Sequence, residues 1–99
     1  MNQQEMIQHA WALTEAIEAA VNEENWARAA ELTEARTPLL MAVEANQPAE
    51  SLATIRRIQA SIEATMGRAN AAQAMLSTAY RKSMDQAKAA GRYQQAARF

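Results

Sequence analysis

Cysteine is absent from this 99-residue sequence, histidine occurs once, and glycine and proline occur twice each. Without cysteine there is no disulfide scaffold, no thiolate zinc site and no cysteine nucleophile, and His9 alone cannot supply a multi-histidine metal centre. No EF-hand loop spacing replaces them. No cofactor is therefore expected. Aromatic residues make up 5% of the chain, and β-branched residues are sparse, so a sheet lacks its usual material. No stretch approaches the roughly 18 consecutive apolar residues of a membrane span. Met1 to Ala10 also lacks the basic start and apolar run of a signal peptide. A soluble, cytoplasmic, single-domain protein without a membrane span is the expectation.

What is present is alanine, at 25 of 99 positions, and an uneven distribution of charge. Alanine is the strongest helix former, so the composition predicts an all-α fold. The formal net charge of −1 conceals a split: residues 1–50 hold nine acids and two bases, whereas residues 51–99 hold two acids and eight bases. One reading sets an acidic hairpin beside a basic helix, with exposed pairs contributing a few tenths of a kcal/mol each. The other makes the basic half a recognition surface. A pI near 5.8 and the absence of helix-turn-helix or zinc-finger punctuation argue against direct nucleic-acid binding. An acidic protein partner fits that second reading better.

Apolar periodicity predicts an antiparallel bundle of three helices over about residues 3–21, 26–45 and 48–90. In the first, Met6, Ala10, Leu13, Ile17 and Ala20 form a stripe that Ile7, Trp11, Thr14 and Val21 widen. Asn25 is a suitable N-cap for the second helix, since its short side chain can accept from an orphan backbone N–H. Pro38 either kinks that helix, at a cost of about 3 kcal/mol, or breaks it so that Thr37 caps a new one. Pro48 suits the first position of the third helix, with Glu50 favourably placed in its first turn.

The third helix carries the functional argument. Leu52, Ile55, Gln59, Ile62, Met66, Ala69, Gln73, Leu76, Tyr80, Ser83 and Ala87 recur at three- and four-residue steps, flanked by Ile58, Ala72, Met75 and Met84. Nothing stops the helix firmly before Gly91. A helix of about 42 residues reaches roughly 63 Å, about twice the length of one of 20 residues, so the first two helices cannot cover it. Its distal half then needs a client, a second copy in a homodimer, or the tail. Ile62, Met66, Met75, Leu76, Tyr80 and Met84 are the candidate partner-binding residues; methionine suits a face that adapts to different partners. Alternatively, Gly67 to Asn70 forms a tight turn, the third helix splits into two, and the methionines are ordinary core of a four-helix bundle.

Other residues are expected to be structural. Trp26 and Trp11 are bundle anchors, because a buried indole removes roughly 150 to 250 Å² from water. Arg36 lies beside an apolar stripe and should pair with a nearby glutamate. His9 belongs on the surface. Tyr93 and Phe99, like Tyr80, suit packing and partner binding equally.

Asn25-Trp26 followed by Glu34-Ala35-Arg36-Thr37-Pro38-Leu39-Leu40 resembles the FliT-type flagellar export chaperone family, in which a tryptophan opens the second helix after a small polar cap. An arginine about ten residues later and a pair of leucines complete that pattern. Trp11, the short second helix, the turn at Pro48, the long third helix and the late aromatic follow in the same order, so the resemblance covers nearly the whole chain. It implies a non-enzymatic cytoplasmic chaperone that binds the C-terminal helical region of the filament-cap protein before type III export. Members of the family also contact the export ATPase complex and, in some bacteria, the master transcriptional regulator of flagellar genes. The family's fourth, regulatory helix has no evident counterpart in Arg92 to Phe99, so the resemblance does not extend to autoinhibition or regulator binding and leaves both open.

Two other classes share this length but need features the sequence lacks. A helical mutase of the chorismate type needs arginines and a lysine converging on a dicarboxylate pocket; Arg28, Arg36 and Arg56 supply part of that set, but no lysine precedes Lys82. A secreted WXG-type hairpin needs a Trp-X-Gly turn, and Trp26-Ala27-Arg28 has no glycine. The remaining alternative is a helical protein-interaction adaptor of unknown partner.

Overall fold

The computed structural model describes residues 1–97, with side chains described through residue 91. The fold is all-α: α1 spans Gln3–Asn22, α2 spans Trp26–Met41 and α3 spans Ala49–Ala97, with no strand among the described residues. No helix among them is long and apolar enough to cross a membrane. The chain divides into two compact units, Met1–Met66 and Gly67–Phe99. The first contains α1, α2 and the start of α3; the second contains the rest of α3, to Ala97.

Local chemistry starts and stops these helices. Asn2 caps α1 by accepting the Glu5 N–H at 2.8 Å, and its own amide donates to the Glu5 carboxylate at 3.3 Å. One orphan backbone N–H is thus satisfied, and a side-chain bond stands where a capping box would have its reciprocal backbone bond. At the other end the Asn25 N–H donates to the Ala20 carbonyl at 2.8 Å and the Glu24 N–H to that of Val21 at 3.0 Å. This pair of bonds is a Schellman motif. Its left-handed position is filled by Glu24, with φ 58°, where glycine would carry no steric cost. Asn25 then caps α2 as expected, accepting the Arg28 N–H at 3.2 Å.

The helix through Pro38 is continuous, which resolves the kink-or-break question in favour of one helix. It ends at Met41, four residues short of the expected boundary. The cause lies in α1: the Gln3 amide donates to the Ala42 carbonyl at 3.1 Å, while its oxygen accepts the Glu44 N–H at 2.9 Å and the Gln47 amide at 2.8 Å. One side chain from another helix satisfies the backbone that a longer α2 would have satisfied internally. Pro48 lies one residue ahead of α3, its carbonyl accepting the Leu52 N–H at 2.9 Å.

Within the first unit the helices run up, down, up. Gln3 meets Gln47, Trp11 meets Arg57 and Glu18 meets Ser61, so α1 and the start of α3 are parallel. Arg36 meets Thr14, and Gln3 meets Ala42, so α2 is antiparallel to both. The α1–α2 core is Ile17, Ala20, Val21, Ala29 and Leu32, with Leu13, Ala16 and Trp26 packed against it. Ile7, Ala10 and Ile58 are also buried. The centre of each stripe is therefore displaced from expectation. Ile7 and Thr14 replace Met6 and Leu13 as the most buried positions of α1, and Ile58 sits at the centre of the α3 stripe while Gln59 and Met66 are exposed.

One expectation for α3 holds and one is corrected. It is one helix rather than two, since Gly67 lies inside it with no left-handed backbone conformation. Gly91 does not end it either; helical backbone continues to Ala97, seven residues beyond the expected end. A glycine costs only about 1 kcal/mol in a helix, and Ala89, Ala90, Ala96 and Ala97 surround this one with strong formers.

Candidate functional site

Two arrangements bear on function, one buried in the first unit and one exposed in the second. The buried one joins Thr14 of α1 to Arg36 of α2. Thr14 is completely buried and Arg36 is 6% exposed. The Thr14 hydroxyl donates to the Ala10 carbonyl at 2.8 Å and accepts from Arg36 Nη1 at 3.1 Å. Among the described residues Arg36 Nε has no partner, and no carboxylate pairs with the guanidinium. The expected glutamate ion pair is therefore replaced by a neutral hydroxyl. Burial depresses the guanidinium pKa below its ordinary value, because desolvation disfavours the charged form.

The other basic groups of the first unit are engaged differently. The Arg57 guanidinium lies 4.3 Å from the centroid of the Trp11 ring, within cation–π range. Trp11 is half-buried, serving as a platform on one side. Trp26 is likewise half-buried and packs on the core cluster. Arg28 pairs with Glu31 at 3.6 Å one turn on, an exposed contact of small energetic weight. His9 is exposed. Among the described residues no group of three or more His, Asp or Glu side chains is placed to hold a metal.

The candidate partner-binding residues divide between the units. Ile62 is half-buried in the first unit, and Met66 at its end is exposed. In the second unit Met75 is 74% exposed, Leu76 70%, Tyr80 66% and Met84 42%. Leu76, Tyr80 and Met84 follow one another at four-residue steps and share a face. Ala69, Ala72 and Ala87 extend that face along the helix, whereas Met75 stands on its border. Gln73, Leu76, Ser77, Tyr80 and Arg81 line a shallow depression, so Arg81 borders the same apolar row. Tyr93 and Phe99 lie outside the described side chains.

The second unit carries more bases than acids. From residue 67 to residue 91 the sequence holds Arg68, Arg81, Lys82 and Lys88 against Asp85 alone. Lys88 follows Met84 by four residues, while Asp85 follows Arg81 by four and precedes Lys88 by three, so the acid lies beside both cations on that side of the helix. Lys82 is two residues from both Tyr80 and Met84, which puts it on the opposite side of α3.

Comparison with family models, with curated proteins and with solved structures finds no match for this chain.

Proposed function

We propose that this chain is a non-enzymatic helical docking protein of the FliT-type flagellar export chaperone class. It acts in the cytoplasm by holding the C-terminal region of the filament-cap protein on the distal part of α3. The observation carrying this reading is the exposed row of Leu76, Tyr80 and Met84 with Met75 at its edge. Large apolar side chains grouped on one exposed helix face mark a binding surface more often than a solvent surface. An apolar row repeating every four residues is also the pattern by which one helix receives another. Shielding an aggregation-prone client requires such a surface and no reacting group.

Co-purification with the tail of a filament-cap protein tests the proposal. Leu76→Asp should weaken that complex at least roughly tenfold, because a buried unpaired carboxylate replaces an apolar contact. Since Leu76 is exposed in the free chain, helicity measured by circular dichroism should change little. Undiminished affinity of the variant would exclude this face.

A further inference from the structure

We propose that, in the absence of a client, the distal face of α3 is covered by the same face of a second copy, the two helices running antiparallel. This deepens the docking reading above, on which it rests, by naming what occupies the docking face before a client does. The seam consists of Ala69, Gln73, Leu76, Tyr80, Ser83 and Ala87, at alternating four- and three-residue steps of one helix. In an antiparallel pair the first position of one copy meets the last of the other, so the seam must read alike from both ends. A parallel pair sets every residue on its own counterpart and makes no such demand. This seam does read alike from both ends: small, polar, large, large, polar, small. The facing layers are then Ala69 with Ala87, Gln73 with Ser83 and Leu76 with Tyr80, each occurring twice. Leucine and tyrosine fill the middle, and the Gln73 amide opposes a serine hydroxyl, so both polar side chains gain a hydrogen-bond partner on burial.

The shape of the surface agrees with that register. Gln73, Leu76, Ser77 and Tyr80 line the shallow depression, with Arg81 at its edge. Those four stand at i, i+3, i+4 and i+7, the four-residue hole that receives a side chain from a facing helix. The middle of the hole lies between residues 76 and 77, and the antiparallel register sets Tyr80 of the second copy opposite it. Asn70, Ser77 and Met84 flank the seam on one side and Ala72, Ala79 and Gln86 on the other, and none of these is charged. Arg81, Lys82, Asp85 and Lys88 stand outside the flanking positions, so charge does not decide the pairing. The six layers extend over roughly 27 Å of helix and bury on the order of 1,000 Å² in total, the lower limit for a specific interface. A pair of that size dissociates readily and leaves the face open to a client.

The cysteine-free sequence makes the register directly testable in the full-length chain. Mixed and oxidised, Ala69→Cys and Ala87→Cys variants should form the 69–87 disulfide between copies at least roughly tenfold faster than either variant links to itself, as read by mass spectrometry. Self-linkage of each variant without the mixed product overturns the antiparallel register. Sedimentation equilibrium of the unaltered chain should show a monomer–dimer equilibrium in the micromolar range that salt does not weaken. Tyr80→Ala should weaken the dimer at least roughly tenfold with circular dichroism unchanged, since Tyr80 is exposed in the single chain. A dimer that Tyr80→Ala leaves intact, or that salt dissociates, overturns the pairing. Adding the filament-cap tail should dissociate the dimer. A chain that stays monomeric throughout the micromolar range yet captures that tail overturns this inference and leaves the docking reading standing. A dimer with the mixed disulfide that the tail neither binds nor dissociates upholds the pairing and overturns the docking reading alone.

Discussion

Replacing the two residues of the buried Thr14–Arg36 pair singly and together gives a sharp test of how the first unit tolerates a buried charge. The two substitutions are asymmetric. Thr14→Val keeps the shape but removes the acceptor for Arg36 Nη1, in a guanidinium whose Nε already lacks a partner among the described residues. Leaving a buried charged donor unsatisfied costs about 1 to 3 kcal/mol. Arg36→Met leaves nothing orphaned, because the Thr14 hydroxyl still donates to the Ala10 carbonyl. Exchanging a poorly compensated buried charge for an apolar side chain is neutral or stabilising, by up to about 4 kcal/mol. With Arg36→Met already present, Thr14→Val should cost less than about 0.5 kcal/mol, so the cycle should return a coupling of about 1 to 3 kcal/mol. Urea unfolding followed by circular dichroism measures all four corners. A loss of more than about 2 kcal/mol on Arg36→Met, or an equal cost of Thr14→Val in both backgrounds, would refute the reasoning. The pH dependence has a definite sign: because burial lowers the folded-state pKa, the charged form opposes folding, and that penalty is relieved only as pH rises through the depressed value. Arginine remains charged at neutral pH, so the difference between wild type and Arg36→Met should be flat between about pH 5 and about pH 8.

Two backbone substitutions should stabilise the chain. Glu24→Gly relieves the left-handed conformation at φ 58° and should add about 0.5 to 1 kcal/mol, whereas Glu24→Ala should add nothing comparable; thermal melting distinguishes them, and equal effects would exclude a conformational origin. Gly67→Ala places a methyl where no heavy atom lies within 4 Å in an ordinary helical conformation, so it should raise helix content and add up to about 1 kcal/mol. A fall in helicity would mean that Gly67 is needed for a bend.

The sequence was most legible where structure is decided within a few residues. Asn25 as a cap and the start of α2 follow from the hydrogen bond of one short side chain to an N–H three residues on. The Schellman turn at Glu24 was hidden because its usual marker is glycine, and here a glutamate bears the strain. The end of α2 was hidden for a different reason. Gln3 caps it from across the bundle, and no local pattern records a partner some 40 residues away.

The same distinction explains why the helical faces were legible but their centres were not. With alanine at a quarter of the positions, a helix can rotate by about one residue and still present small apolar side chains to its neighbour, so periodicity alone leaves the facing row underdetermined. In α1 the deciding feature is Thr14, which a hydropathy pattern ranks below Leu13. Its hydroxyl is buried because it serves both Ala10 and Arg36. In α3, Ile58 rather than Leu52 or Met66 becomes central once Arg57 rests on Trp11 and Ser61 donates to Glu18 at 2.6 Å. These polar contacts fix the rotation that the alanines leave free. Beyond residue 67 the only half-buried positions with described side chains are Ala69 and Ala72. There the row of Leu76, Tyr80 and Met84 remains exposed.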